Sequence, residues 1–303
     1  MARGMAKASI ELIESCSKIL SEIQPASVRA VCYRLFTMGF IPDMSKASVG
    51  KVGRLLVLAR EEGRIPWEWI VDETREAERA PVWEDPEDYT RYVNNIYRRD
   101  LWASQDRQVE VWSEKGTIRG TLSPVLYNYG VTLRVFHGFS SATAIYDVAK
   151  DTHKLREPLL AFYVGDWDPS GLSMSEVDLP RRLVRYSANV ELRRVALTEE
   201  QTDIYDLPSF EAKTKRGDPR FKWFRKKYGK KCYELDALSP NVLRQVVRSE
   251  LEEIIDEEKW LRMEIIEKAE KESLEEVMDA WKGLPKKGRN LKRHSLTRVY
   301  SGV

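Results

Sequence analysis

The sequence is poor in the residues that build disulfide frameworks and thiolate metal sites. It has three cysteines and three histidines in 303 residues, and no two cysteines form a C-x-x-C pair. The odd number and scattered positions of Cys16, Cys32 and Cys232 argue against a disulfide framework and against a zinc site. We therefore expect the chain in a reducing compartment, the cytoplasm.

Long apolar runs and phosphate-binding loops are missing as well. No apolar run reaches the roughly 18 residues of a membrane helix, and the amino terminus has no apolar signal core. The glycine-rich loop pattern G-x-x-x-x-G-K-[ST] does not occur. These absences predict no membrane insertion and no ATP hydrolysis by this chain.

An excess of one charge is also lacking, because 50 basic residues stand against 48 acidic ones. The basic residues are concentrated locally, between Lys213 and Lys231, where four aromatic residues are interleaved with them. Such a segment fits binding of phosphates by the cations and stacking of bases on the rings. It equally fits a helix whose aromatic side packs on the core and whose basic side is solvated.

Two carboxylates follow the most apolar predicted strand. The run Leu159–Val164 is typical of a buried parallel strand, and Asp166 and Asp168 come directly after it. Carboxylate oxygens are ligands that Mg²⁺ prefers. A D-x-D before a turn is also typical of a helix N-cap.

Glu114 is a third candidate ligand, because it ends an alternating strand over Gln108–Trp112. The elements predicted between the two strands are a helix over Ile118–Tyr129, a strand over Val131–Phe136 and a helix over Ser141–Lys150. Right-handed crossovers make strands in the order β-α-β-α-β parallel. Glu114, Asp166 and Asp168 are therefore expected to meet at one edge of the sheet.

These three carboxylates, in this order, resemble the Toprim domain of topoisomerases, primases and related nucleases. The segments Val111–Lys115, Gly138–Ser141 and Asp166–Gly171 resemble more narrowly the A subunit of topoisomerase VI and its meiotic double-strand-break relatives, especially the stand-alone Mini-A forms. The resemblance implies that the carboxylates bind Mg²⁺ at a DNA phosphodiester and that a homodimer acts on double-stranded DNA. It also implies a separate ATPase B-like subunit as a further partner, and association with the nucleoid in a bacterium or archaeon.

The family carries a nucleophilic tyrosine on a winged-helix domain that precedes the Toprim domain. Arg29 and Tyr33 within Val28–Leu35 match its R-x-x-Y-Y-like segment best, with Cys32 in place of the first tyrosine. They lie four residues apart on a helix predicted over Ala26–Met38 and so share a face. A phenol with a reference pKa of about 10 needs a nearby cation or base to react at neutral pH. Spacing alone favours a different interpretation, in which Tyr33 is a part-buried side chain of an amphipathic helix.

The rest of the amino-terminal region fits a winged helix, with a helix over Lys46–Glu62 and a wing strand over Arg64–Asp72. Lys51 and Arg54 on the outside of that helix are candidate DNA contacts, although surface helices carry such residues for solubility as well. The other candidate nucleic-acid-binding residues are Lys115, Lys213, Lys215, Arg216 and Arg220.

The predicted organisation is α/β. A winged-helix (CAP-like) DNA-binding domain over 1–80 is followed by a linker over 81–102 with a lead-in helix at Tyr89–Trp102. A Toprim domain with a Rossmann-like parallel sheet covers 103–210. A C-terminal extension over 211–303 contains the basic segment, one long helix over Asn241–Trp281 and a basic tail at Lys286–Arg293.

The function predicted from the resemblance is Mg²⁺-dependent DNA cleavage like that of a type IIB topoisomerase A subunit, through a tyrosyl-DNA phosphodiester intermediate. Two alternatives stay open. One is a Toprim nuclease that hydrolyses nucleic acid with metal-activated water, and the other is a DNA-binding protein that does not cleave.

Overall fold

The structure is a computed structural model that describes residues 7–70, 81–136, 142–211 and 218–283. Several sequence predictions lie outside the described residues: those on Lys213, Lys215 and Arg216, on the segment Gly138–Ser141 and on the tail Lys286–Arg293. The described part of the chain forms two compact units. One comprises residues 7–70 and 100–260, and the other comprises residues 81–99 and 261–283.

The helices are α1 (Lys7–Ile23), α2 (Val28–Thr37), α3 (Lys46–Glu61), α4 (Pro86–Ile96), α5 (Ile118–Tyr129), α6 (Ala142–Thr152), α7 (Pro169–Ser173), α8 (Leu179–Arg185), α9 (Glu199–Ile204), α10 (Pro219–Tyr228), α11 (Pro240–Ile254) and α12 (Glu257–Gly283). The strands are β1 (Val109–Ser113), β2 (Thr132–Val135), β3 (Leu159–Val164), β4 (Val190–Ala196), β5 (Phe210–Glu211) and β6 (Lys231–Cys232).

A four-stranded parallel sheet with the strand order β2-β1-β3-β4 forms the centre of the first unit. Every residue of β3 is buried, as its uninterrupted apolar run predicts for a central parallel strand. Helices α5 and α11 contribute to the apolar core on one face, and α6 and α8 contribute to the core on the other. The predicted α/β class and the β-α-β-α-β order are confirmed.

The amino-terminal helices α1, α2 and α3 share an apolar core that includes Leu20, Val31 and Leu56. Ser27 caps α2 by accepting a hydrogen bond from the backbone of Ala30, which explains why the helix begins there. The predicted wing strand is wrong in its described part, because Trp67–Trp69 form a 3₁₀ turn that follows Pro66.

The basic and aromatic helix α10 packs its aromatic side inward. Phe224 is fully buried in the sheet core, and Trp223 and Tyr228 pack against it while remaining partly exposed. Arg225 and Lys226 lie on the exposed side. The alternative in which the aromatic residues pack on the core is therefore confirmed for these three rings.

The prediction of a single helix over Asn241–Trp281 is wrong, because the helix is interrupted between α11 and α12. Ile255 adopts an extended conformation. Asp256 then caps α12, since its Oδ1 accepts a hydrogen bond from the backbone N–H of Lys259 at 3.1 Å.

In the second unit, α4 begins at Pro86, where Asp85 supplies the N-cap, and ends at Ile96. The lead-in helix predicted over Tyr89–Trp102 is therefore too long at its carboxyl end. Within the same unit, the Tyr97 hydroxyl donates a hydrogen bond to Glu270 on α12 at 2.7 Å. No helix in the described part of the chain is long and apolar enough to cross a membrane.

Candidate carboxylate site

The strands that precede the predicted ligands are direct neighbours in the sheet. β1 and β3 pair in parallel, with Ser113 opposite Val164, so both strands end at the same level. Glu114 follows Ser113, and Asp166 lies two residues beyond Val164. The sheet thus brings the two carboxylates to one edge, as expected for parallel strands.

Asp168 serves as the N-cap of α7. Its Oδ1 accepts backbone hydrogen bonds from Ser170 at 2.9 Å and from Gly171 at 2.7 Å. This is the capping role that the D-x-D pattern also predicts. One Asp168 oxygen is therefore committed to the helix.

Gly171 lies where the loop after β3 folds back on itself. A Cβ atom at this position would lie 2.4 Å from the backbone oxygen of Asp166 and 3.3 Å from Oε1 of Glu114. The first distance is shorter than any real contact of a Cβ, so this position requires glycine. The same geometry places the Glu114 carboxylate against the loop that carries both aspartates.

The negative charge of the site affects the protonation of Glu114. Burial, together with the charges of Asp166 and Asp168, raises the pKa of Glu114 to about 7. A carboxyl group that is half protonated near neutral pH is frequent at functional sites, although structural charge clusters produce it as well.

Lys115 supplies the nearest positive charge. Its Nζ lies 2.7 Å from Oδ1 of Asp166 and 3.1 Å from Oδ2 of Asp236. Although burial disfavours the ammonium, these two carboxylates prevail and raise the pKa of Lys115. Lys115, predicted as a nucleic-acid contact, is therefore paired within the protein.

Arg194 on β4 holds the loop that carries the aspartates, a role that was not predicted from the sequence. Its guanidinium donates hydrogen bonds to the carbonyl oxygens of Gly165 at 3.0 Å, Gly171 at 2.8 Å and Leu197 at 3.1 Å. It also donates to Oγ of Ser175. The available signal was the pair of consecutive arginines, Arg193 and Arg194, within a strand that is mostly apolar.

Arg29 and Tyr33 lie one helical turn apart on α2, as predicted, and both face Glu234. The Arg29 guanidinium donates two hydrogen bonds to the Glu234 carboxylate. Tyr33 is 5% exposed, with the Arg29 guanidinium carbon 5.8 Å from the centre of its ring. Burial and the Glu234 charge raise the pKa of Tyr33, against a smaller opposing effect of Arg29.

Among the other predicted nucleic-acid contacts, Arg220 lies beside the carboxylates. It pairs with Asp218 at 2.7 Å, and its Nη1 lies 3.3 Å from Oγ of Ser170, in the loop after β3. Lys51 and Arg54 are exposed on α3.

The donor set suits a hard divalent cation in its chemistry, because it consists of carboxylate oxygens that share a concentrated negative charge. Among the described residues, however, no three Asp, Glu, His or Cys side chains are arranged as a group that could hold a metal ion. In this arrangement Oδ1 of Asp166 contacts Lys115 and also accepts a hydrogen bond from the backbone of Leu235, while Oδ1 of Asp168 caps α7.

No protein-family model matches the chain, and no curated protein matches it.

Gly171→Ala tests the close approach of the loop. The added Cβ collides with the backbone of Asp166, so we expect the free energy of unfolding to fall by about 1–3 kcal/mol, as for overpacked sites. Gly50→Ala on α3 is the matched control, because its Cβ would meet only the flexible end of Arg54 at 3.7 Å. This control should gain roughly 0.5–1 kcal/mol. Equal effects of the two substitutions in chemical denaturation would contradict the account.

Glu114→Gln, which mimics the protonated carboxyl, tests the buried charge. Folding raises the pKa of Glu114 to about 7, whereas the unfolded carboxyl has a pKa of about 4.3. Native Glu114 therefore binds more protons than unfolded Glu114 between these values, and the wild type loses stability as the pH rises through that window.

Unfolding free energies measured in metal-free buffer should show this dependence as a difference between the two proteins. The free energy of unfolding of the variant, relative to that of the wild type, should rise by up to roughly 3 kcal/mol between about pH 4.5 and pH 8. Above pH 8 the difference should stay constant. A difference that stays constant across this range would refute the raised pKa.

Proposed function

We propose that this protein cleaves DNA and is of the Toprim type, resembling the A subunit of topoisomerase VI. The observation that carries the proposal is the position of Glu114, Asp166 and Asp168 after two adjacent parallel strands, at one edge of the sheet. Lys115 and Arg220 provide positive charge at the same edge. Such an edge is where α/β sheets bind their ligands.

Glu114, Asp166 and Asp168 would hold Mg²⁺, which supplies neutralisation of charge at the scissile phosphate when it is bound. The chain's own residues complete the electrostatic environment. Arg220, at 31% side-chain exposure, is accessible to a phosphate beside the carboxylates. The exposed cations of α3 and α10 extend the surface that a DNA backbone would contact.

Tyr33 is the proposed nucleophile. Its oxygen forms a bond to a backbone phosphorus, and the bond from that phosphorus to the neighbouring sugar oxygen breaks. The phenol gives up its proton to solvent, and the departing sugar oxygen takes up a proton from solvent, so charge and atoms balance. In the proposed homodimer, the tyrosine of each protomer serves the carboxylates of the other, and the two symmetric sites cut both strands. An ATPase B-like subunit would be a separate chain.

One observation favours a second candidate function, a hydrolytic nuclease that uses activated water. Tyr33 is 5% exposed, and its pKa is raised by burial and by Glu234, both of which disfavour the phenolate in this arrangement. Hydrolysis needs the carboxylates but no tyrosine.

Plasmid cleavage separates these functions. Supercoiled plasmid is incubated with purified protein and Mg²⁺, stopped with detergent and analysed with and without protease. Covalent cleavage predicts linear DNA that enters the gel only after protease treatment. Tyr33→Phe and Asp166→Asn should each reduce it by about 10³-fold or more, because each removes an essential group. Tyr146→Phe, at an exposed tyrosine on α6, is the control that should cleave like the wild type.

The alternatives give different results in the same assay. Cleavage that does not need protease and persists in Tyr33→Phe, but is lost in Asp166→Asn, identifies the hydrolytic nuclease. Duplex binding without cleavage by the wild type favours the protein that does not cleave.

A further inference from the structure

The short turn Glu234–Asp236 contacts the helix that carries Tyr33. Glu234 accepts two hydrogen bonds from the Arg29 guanidinium. Two residues later, Oδ1 of Asp236 accepts a hydrogen bond at 2.8 Å from Oγ of Ser27, the N-cap of α2. The turn therefore contacts both the N-cap and the first turn of α2.

The same three residues contact the carboxylate site on their other side. The backbone N–H of Leu235 donates a hydrogen bond to Oδ1 of Asp166 at 2.7 Å. Oδ2 of Asp236 lies 3.1 Å from Nζ of Lys115, which in turn lies 2.7 Å from Asp166. One turn of the chain thus connects α2 with a candidate metal ligand.

The two sides of this connection differ in their chemistry. On the sheet side, Leu235 and Leu238 are buried in the core, and Tyr233 exchanges two backbone hydrogen bonds with Trp167 at 2.9 and 3.0 Å. On the α2 side, the contacts described above are polar, and the side chain of Arg29 is 39% exposed. Apolar burial makes the turn a fixed part of the sheet region, whereas partly exposed ion pairs open at a smaller cost.

We propose that Glu234–Asp236 is a positioning latch that holds α2 against the carboxylate site of the same chain and keeps Tyr33 covered until the Arg29–Glu234 pair opens. Glu234 and Asp236 are then positioning residues, acting through Arg29 and Lys115. The importance of covering Tyr33 rests on the proposed function, but the latch itself is a physical property of the chain that can be measured without cleavage.

A charge-swap cycle tests the latch, with backbone amide hydrogen exchange of α2 as the readout. Arg29→Glu and Glu234→Arg each place like charges together, so each should raise the exchange of α2 amides by about tenfold or more. The double variant restores an ion pair of opposite polarity and should return exchange most of the way to the wild-type rate. Glu191→Arg, at the exposed pair with Arg107, is the matched control and should leave α2 unchanged.

Two results would overturn the latch. The first is wild-type exchange at α2 in either single variant. The second is a double variant that exchanges as fast as the single variants, because the loss of α2 protection in the single variants would then reflect general destabilisation. If a charge reversal prevents folding, Glu234→Gln keeps the shape and removes the charge, and it should raise α2 exchange by a smaller factor. Unchanged exchange in Glu234→Gln would equally overturn the proposal.

The latch and the proposed function can fail separately. If the charge swap changes α2 exchange as expected but the wild type does not cleave plasmid, the latch is supported and the proposed function is contradicted. If the wild type forms protein-linked cleavage products but the Arg29 and Glu234 variants exchange at α2 like the wild type, the proposed function is supported and the latch is contradicted.

Discussion

The geometry of the site depends on the hydrogen bonds that the Arg194 guanidinium donates to backbone carbonyl groups. The loop after β3 turns back sharply, and its carbonyl groups, among them those of Gly165 and Gly171, need hydrogen-bond donors inside the protein. A single arginine provides them from the neighbouring strand β4, because its planar fork presents several donors at once. The carbonyl of Gly165 also accepts a hydrogen bond from the backbone of Leu197, and that of Gly171 accepts one from Oγ of Ser175. Arg194 therefore adds further donors, which tie the loop of Asp166 and Asp168 to β4.

Charge balance is the second constraint. Three carboxylates at one sheet edge repel one another, and this repulsion adds to the larger effect of burial in raising the pKa of Glu114. Lys115 offsets part of it through its contacts with Asp166 and Asp236. The ammonium of Lys115 and a divalent cation would compete for the carboxylate of Asp166, because Lys115 already lies 2.7 Å from Oδ1 of that side chain.

Three of the four strands of the parallel sheet, β1, β2 and β3, could be predicted from the sequence because their signals are local, whereas β4 was not predicted. The strand Leu159–Val164 is as predicted, and α5 ends at Gly130, which adopts a left-handed conformation with φ of 63°. The break before α12 is not evident from the sequence, because an aspartate such as Asp256 fits the polar face of a helix as well as it fits an N-cap. Arg194 and Glu234 could not be assigned, since their roles depend on contacts with residues distant in the chain. Hydrophobic periodicity carries no information on such pairings.

The proposed function depends on Glu114 and the two aspartates binding a divalent cation. Calorimetric titration of metal-free protein with Mn²⁺ tests it most directly, comparing the wild type with Glu114→Gln and Asp166→Asn. Asp151→Asn, at an exposed aspartate, is the control. We expect each site variant to bind Mn²⁺ at least about tenfold more weakly than the wild type, a loss of about 1.4 kcal/mol, and the control to bind as tightly as the wild type. Equal affinity in all four proteins, or no binding by the wild type, would contradict it.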